Sequence, residues 1–98
     1  MIVIEGSVRI PEDKVEAARA VMIRMIEASR GEAGCIDYAY SFDVMEPGLI
    51  RVTERWQSRE ALAAHFRMPH MAEWRALWPE FGITDRSLRL YEAEPEPI

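Results

Sequence analysis

Two kinds of apolar pattern follow one another along this chain in a single order. They read strand, helix, strand, strand, helix, strand. Ile2 to Ile10 alternates, with Ile2, Ile4, Val8 and Ile10 on one face and Val3, Glu5, Ser7 and Arg9 on the other. Gly6 interrupts the first face, and a glycine there marks a bulge or a place where something must approach the backbone closely. From about Asp13 to Ser29, Val15, Ala18, Met22, Met25, Ile26 and Ser29 recur at helical spacing and define a buried stripe, with acids at the N-terminal end. Gly31 and Gly34 bracket its exit.

Cys35–Phe42 and Leu49–Trp56 alternate again, across a loop carrying the Pro47-Gly48 turn signal, and predict an antiparallel hairpin. One face carries Ile36, Tyr38, Tyr40 and Phe42, then Ile50, Val52, Glu54 and Trp56, with Tyr38 opposite Glu54 and Tyr40 opposite Val52. A one-residue slip in register would turn Tyr38, Tyr40 and Glu54 to the opposite face. Ser58 is positioned to cap a helix running to about Phe66, where Pro69 interrupts it. A further helical segment, His70 to Leu77, is expected to close at Pro79, and Ile83 to Tyr91 to form the last strand.

This order is the split βαβ arrangement: an α+β, ferredoxin-like βαββαβ fold, with one four-stranded antiparallel sheet and the helices on one face. Residues 1–91 form a single domain, and 92–98 an acidic, proline-containing tail expected to fray. The opposite sheet face, with Val3, Ala39, Leu49 and Thr53, is too apolar to face water, which predicts a twofold dimer. Composition agrees. At 49% hydrophobic, with three Trp and six Met, the chain has more apolar surface than so small a core needs, leaving some for a ligand cavity and an interface.

A net charge of −5, with the basic residues scattered, argues against nucleic acid as a partner. Cys35 is the only cysteine, so no intrachain disulfide forms, and it reads as a small buried hydrophobe. The N-terminus lacks the pattern of a signal peptide, and no stretch is long enough for a membrane span. The expectation is a cytoplasmic protein that engages no membrane.

The segment Glu32-Ala33-Gly34-Cys35-Ile36-Asp37-Tyr38 resembles the helix-to-strand turn of the antibiotic biosynthesis monooxygenase (ABM) family. Thr53-Glu54-Arg55-Trp56-Gln57-Ser58-Arg59-Glu60-Ala61-Leu62 resembles that family's E-x-W and S-x-x-A-L signature, and Ala64 to His70 its A-H … P-H segment. The resemblance implies a dimeric α/β barrel with a cavity in each protomer between sheet and helices. It covers several chemistries: cofactor-independent oxygenation of quinols or phenols, heme degradation, isomerisation, or none. Function must therefore be argued from the site.

Tyr38, Tyr40, Trp56, Phe66 and Trp74 could frame a flat ligand, or simply fill the core. His65 and His70 are the only histidines, and either would serve as the base that takes a proton from a phenol. Otherwise both satisfy backbone groups near Pro69. Glu54 reads as a proton shuttle with a raised pKa, or as a structural carboxylate paired with Arg24 or Arg75. Five residues separate the histidines, which keeps them off one helix face, and no metal or cofactor is expected. Heme-degrading relatives carry an Asn where Gly6 stands and a His near Trp74–Arg75, and this chain has neither; Gly6 would instead open space in the cavity.

The leading expectation is a cofactor-independent monooxygenase acting on a quinol, phenol or similar small aromatic molecule. The alternatives are a non-catalytic binding module built on the same dimer, and an isomerase of a small carbonyl compound.

Overall fold

The computed structural model describes residues 1–98. Four strands form one antiparallel sheet in the order β2-β3-β1-β4: β1 is Ile2–Arg9, β2 Cys35–Phe42, β3 Leu49–Trp56 and β4 Thr84–Glu92. Helix α1 (Val15–Arg30) crosses from β1 to β2, while α2 (Arg59–Phe66), α3 (Pro69–Ala76) and the single turn α4 (Trp78–Phe81) connect β3 to β4. This is the ferredoxin-like α+β arrangement that the sequence pattern predicts. No helix is long and apolar enough to cross a membrane.

The hairpin adopts the register that places Tyr38 opposite Glu54 and Tyr40 opposite Val52. Both pairs consequently face the helices. The core face of β1 and β3, with Ile2, Ile4, Val8, Ile50, Val52 and Trp56, packs against Ala18, Met22 and Met25 of α1 and against Leu62, Met71 and Trp74. Arg67-Met68-Pro69 breaks the second helical region into α2 and α3, because Pro69 lacks the N–H that a continuous helix requires and instead sits at the start of α3. Ser58 caps α2, its hydroxyl accepting from the Ala61 N–H at 3.1 Å.

Three expectations need correction. Pro79 does not end the helical region: it lies in the first turn of α4, and the stop is Gly82, whose left-handed φ of 70° closes that turn. The last strand begins one residue later than predicted and extends to Glu92, and Ala93 N–H still donates to the Met1 carbonyl at 3.0 Å. Gly6 opens no space in the cavity. A Cβ there would lie 1.9 Å from the Ser87 carbonyl oxygen, so the missing side chain is what lets β4 lie against β1 just before its register shifts. The face of the sheet away from the helices carries Arg51, Thr53, Arg55 and Tyr91 exposed, with Val3 and Ala39 half-buried; Leu49 is already buried within the chain.

Candidate functional site

A cavity of about 100 Å³ lies between the helices and the β2–β3–β1 part of the sheet. Tyr38 and Tyr40 reach it from β2, Glu54 from β3, His65 and Phe66 from α2, and Arg86 from β4. Phe66 and Arg86 are exposed and stand at its mouth, whereas Tyr38, Glu54 and His65 are buried. The space is somewhat smaller than the ~150 Å³ that holds a benzene ring in an apolar cavity. A one-ring ligand therefore requires Phe66 or Arg86 to swing aside. A second groove of about 130 Å³ lies between α1 and β2, lined by Val15, Met22, Ile26 and Phe42. Arg19 and the Tyr40 hydroxyl are its only ionisable groups, so it offers no base for proton transfer near neutral pH.

Glu32 organises the buried side of the site. It lies in the turn between α1 and β2, and its Oε2 stands 2.7 Å from His65 Nδ1 and 2.8 Å from His70 Nε2. An ionised carboxylate only accepts, so both imidazole nitrogens donate N–H to it. That fixes the tautomer of His65: with the proton on Nδ1, Nε2 is left as a lone-pair acceptor on the far side of the ring. Burial, the largest influence, lowers the His65 pKa against the opposing pull of Glu32, which keeps the ring neutral. His65 Nε2 is buried and has no hydrogen-bond partner, as is Trp78 Nε1. Both residues line the cavity, so an acceptor and a donor are left unpaired there.

Aromatic rings hold His65 in place. Its ring centroid lies 4.6 Å from that of Trp56, 5.3 Å from Tyr38 and 5.6 Å from Phe66. Trp56 also donates its indole N–H to Glu54 Oε1 at 2.9 Å. Burial raises the Glu54 pKa, and the Trp56 hydrogen bond and the Arg86 charge offset this only in part. Burial also holds the Tyr38 hydroxyl firmly un-ionised. Tyr40 accepts from the Trp74 indole at 3.3 Å.

Of the residues singled out from sequence, Tyr38, Tyr40, Glu54, His65 and Phe66 converge on the cavity. Trp56 and Trp74 are fully buried and stand behind it, in contact with residues that line it. His70 does not reach the cavity: it sits beyond Glu32, beside a surface cleft shared with Arg24 and Glu73. Neither histidine satisfies the backbone near Pro69. The suggested ion pairs of Glu54 also do not form, since Arg24 pairs with Glu73 and Arg75 donates to the Phe66 carbonyl.

Sequence reasoning missed Glu32, Trp78 and Arg86. Glu32 stands in the turn motif, but nothing local marks a glutamate there as the partner of two histidines more than thirty residues away. The only signal was negative, a pair of histidines spaced too far apart to share a helix face.

The fold and a cavity enclosed between sheet and helices define a class of small α+β proteins, and the family model for antibiotic biosynthesis monooxygenase matches residues 1–77. The chain belongs to that family. It is 32% identical over 91 residues to an uncharacterized protein of Synechocystis, a match covering 93% of this chain and 62% of the relative, so the chain spans under two thirds of that protein's length. It is also similar to a candidate antibiotic biosynthesis monooxygenase from Deinococcus radiodurans, with a TM-score of 0.91, 24% identity and coverage of 100% of this chain and 97% of the other. A Mycobacterium tuberculosis protein aligns with a TM-score of 0.82, 27% identity and coverage of 97% and 96%.

Proposed function

We propose that this protein is a cofactor-independent oxygenase in which His65 is the base that removes a proton from a small phenolic or enolic substrate. The observation that carries the reading is the unpaired, buried Nε2 of His65, on a ring whose other nitrogen is held by Glu32. The unpaired Trp78 N–H narrows the substrate class to molecules with an acidic O–H or C–H next to a carbonyl or second hydroxyl oxygen. In this reading the acidic group donates to His65 while the oxygen accepts from Trp78.

The chemistry balances without a cofactor. His65 takes the proton, the electron-rich carbon of the resulting anion adds dioxygen, and a proton completes a hydroperoxide. Loss of water across the C–H and O–O bonds then leaves a new carbonyl, so one oxygen atom enters the product and the other leaves as water. Glu54, whose proton burial holds to a higher pH than an ordinary carboxyl keeps it, is the donor available to the departing hydroxide.

The test is oxygen consumption with a panel of one-ring hydroxyaryl ketones, hydroquinones and enolisable diones. Turnover is expected in the native protein, with a fall of about 100-fold or more in His65→Ala. Uptake that is absent, or unchanged in that variant, would overturn the reading.

A base and a carboxyl of raised pKa on one cavity also favour a second reading, isomerisation of a small carbonyl compound by proton transfer from one position to another. Turnover that proceeds equally well without oxygen would select it. A homodimer is part of the same proposal, with the face of the sheet opposite the helices meeting its counterpart in a second copy.

A further inference from the structure

The Glu32, His65 and His70 cluster has a property that base chemistry does not require. Its three donor atoms, one carboxylate oxygen and two imidazole nitrogens, all lie within 4.8 Å of one another and come from three separate segments: the α1–β2 turn, α2 and α3. The carboxylate side chain is only 5% exposed, yet its Oε1 is buried with no partner. A buried carboxylate oxygen without a donor is costly, and a cation satisfies it directly. Access exists from one side, because His70 is partly exposed beside a cleft of about 190 Å³ that also carries Glu73.

The geometry points to a binding site for a divalent first-row transition metal, with Glu32, His65 Nδ1 and His70 Nε2 as ligands. Two imidazoles and a carboxylate form the donor set that suits zinc or ferrous iron, leaving a further position for water. Metal–ligand bonds of about 2.0–2.2 Å in tetrahedral geometry set ligand atoms roughly 3.3 Å apart. The present spacings of 2.7 and 2.8 Å are those of hydrogen bonds, so loading requires the carboxylate to retreat by about half an ångström and the two imidazole nitrogens, now up to 4.8 Å apart, to close on one another. Rotation about the glutamate side-chain bonds moves the carboxylate and brings the orphaned Oε1 toward the ion, and the partly exposed His70 is the ring with room to close the gap. To ligate the metal as a neutral ring, each imidazole passes its single proton, by exchange with water, to its other nitrogen, so no net proton is released. For His65 that nitrogen is Nε2, so the loaded site presents a donor to the cavity where the empty site presents an acceptor. This last consequence rests on the base reading; metal binding itself does not.

The test is calorimetric titration of chelator-treated protein with Zn²⁺, together with visible spectroscopy of Co²⁺ added in its place. One Zn²⁺ per chain and Co²⁺ bands of low coordination number are expected. His70→Ala and Glu32→Gln should each weaken binding by at least about tenfold. His70 is partly exposed, so its variant is expected to fold, as checked by circular dichroism, and it decides the matter if Glu32→Gln does not. Native binding no tighter than that of His70→Ala would overturn the proposal. Zinc binding without any turnover would leave this site standing and remove the oxygenase reading, whereas turnover that zinc leaves unchanged would remove only the switch in His65.

Discussion

His65 and Glu54 show how burial gives two side chains opposite tasks. The histidine loses basicity because the buried charged form is poorly solvated, and the glutamate loses acidity for the same reason, so both are pushed toward neutrality. For Glu54 this has a thermodynamic signature. In the unfolded chain the carboxyl ionises as pH rises through its ordinary value of 4.5, while in the fold it holds its proton to a higher pH. Over that window the folded state binds more protons, so this residue's contribution to stability falls as pH rises. Glu54→Gln removes the penalty and keeps an oxygen to accept the Trp56 N–H. The melting temperature of Glu54→Gln relative to native protein is therefore expected to be higher at pH 7 than at pH 4. A difference that is constant with pH, or runs the other way, would show that Glu54 is not held protonated by the fold.

Among the elements, β4 depends on a residue in its neighbour. Gly6→Ala would drive a methyl group into the Ser87 carbonyl, and backbone cannot move aside as the end of a flexible side chain does. We expect a loss of about 3 kcal/mol, the upper range of overpacking, measured by denaturant unfolding. A loss below about 0.5 kcal/mol would mean that β4 can shift without cost.

The elements that could be read from sequence were those whose pattern is local. Alternation in β2 and β3 favoured the hairpin register that the fold adopts without fixing it, because only packing against the helices decides which face Tyr38, Tyr40 and Glu54 take. The region from Pro69 to Gly82 read less well: proline fits the first turn of a helix as readily as it stops one, and two short helices share the space where one was expected. Glu32 could not be read at all, since its role exists only once α1, α2 and α3 have packed together. Of the candidate site, the wall on the sheet was legible from alternation, and the histidine support was not.

For the whole molecule, the outer face of the sheet carries the consequence. Arg51, Arg55 and Tyr91 alternate there with Val3 and Ala39, so a dimer seam on this face is mixed rather than purely apolar. We expect a homodimer of twice 11.3 kDa by light scattering coupled to gel filtration. Val3→Asp should shift it toward monomer, because Val3 lies on the outer face of a central strand. A native protein that runs as a monomer at all concentrations would refute this arrangement.

The account turns on the tautomer of one ring. Nitrogen-15 NMR of imidazole-labelled, metal-free protein at pH 7 reads it directly. The prediction is that His65 carries its proton on Nδ1, next to Glu32, with Nε2 unprotonated, and that Glu32→Gln relaxes this preference. A His65 protonated on Nε2, or on both nitrogens, would leave no lone pair for the cavity and would contradict its role as the base.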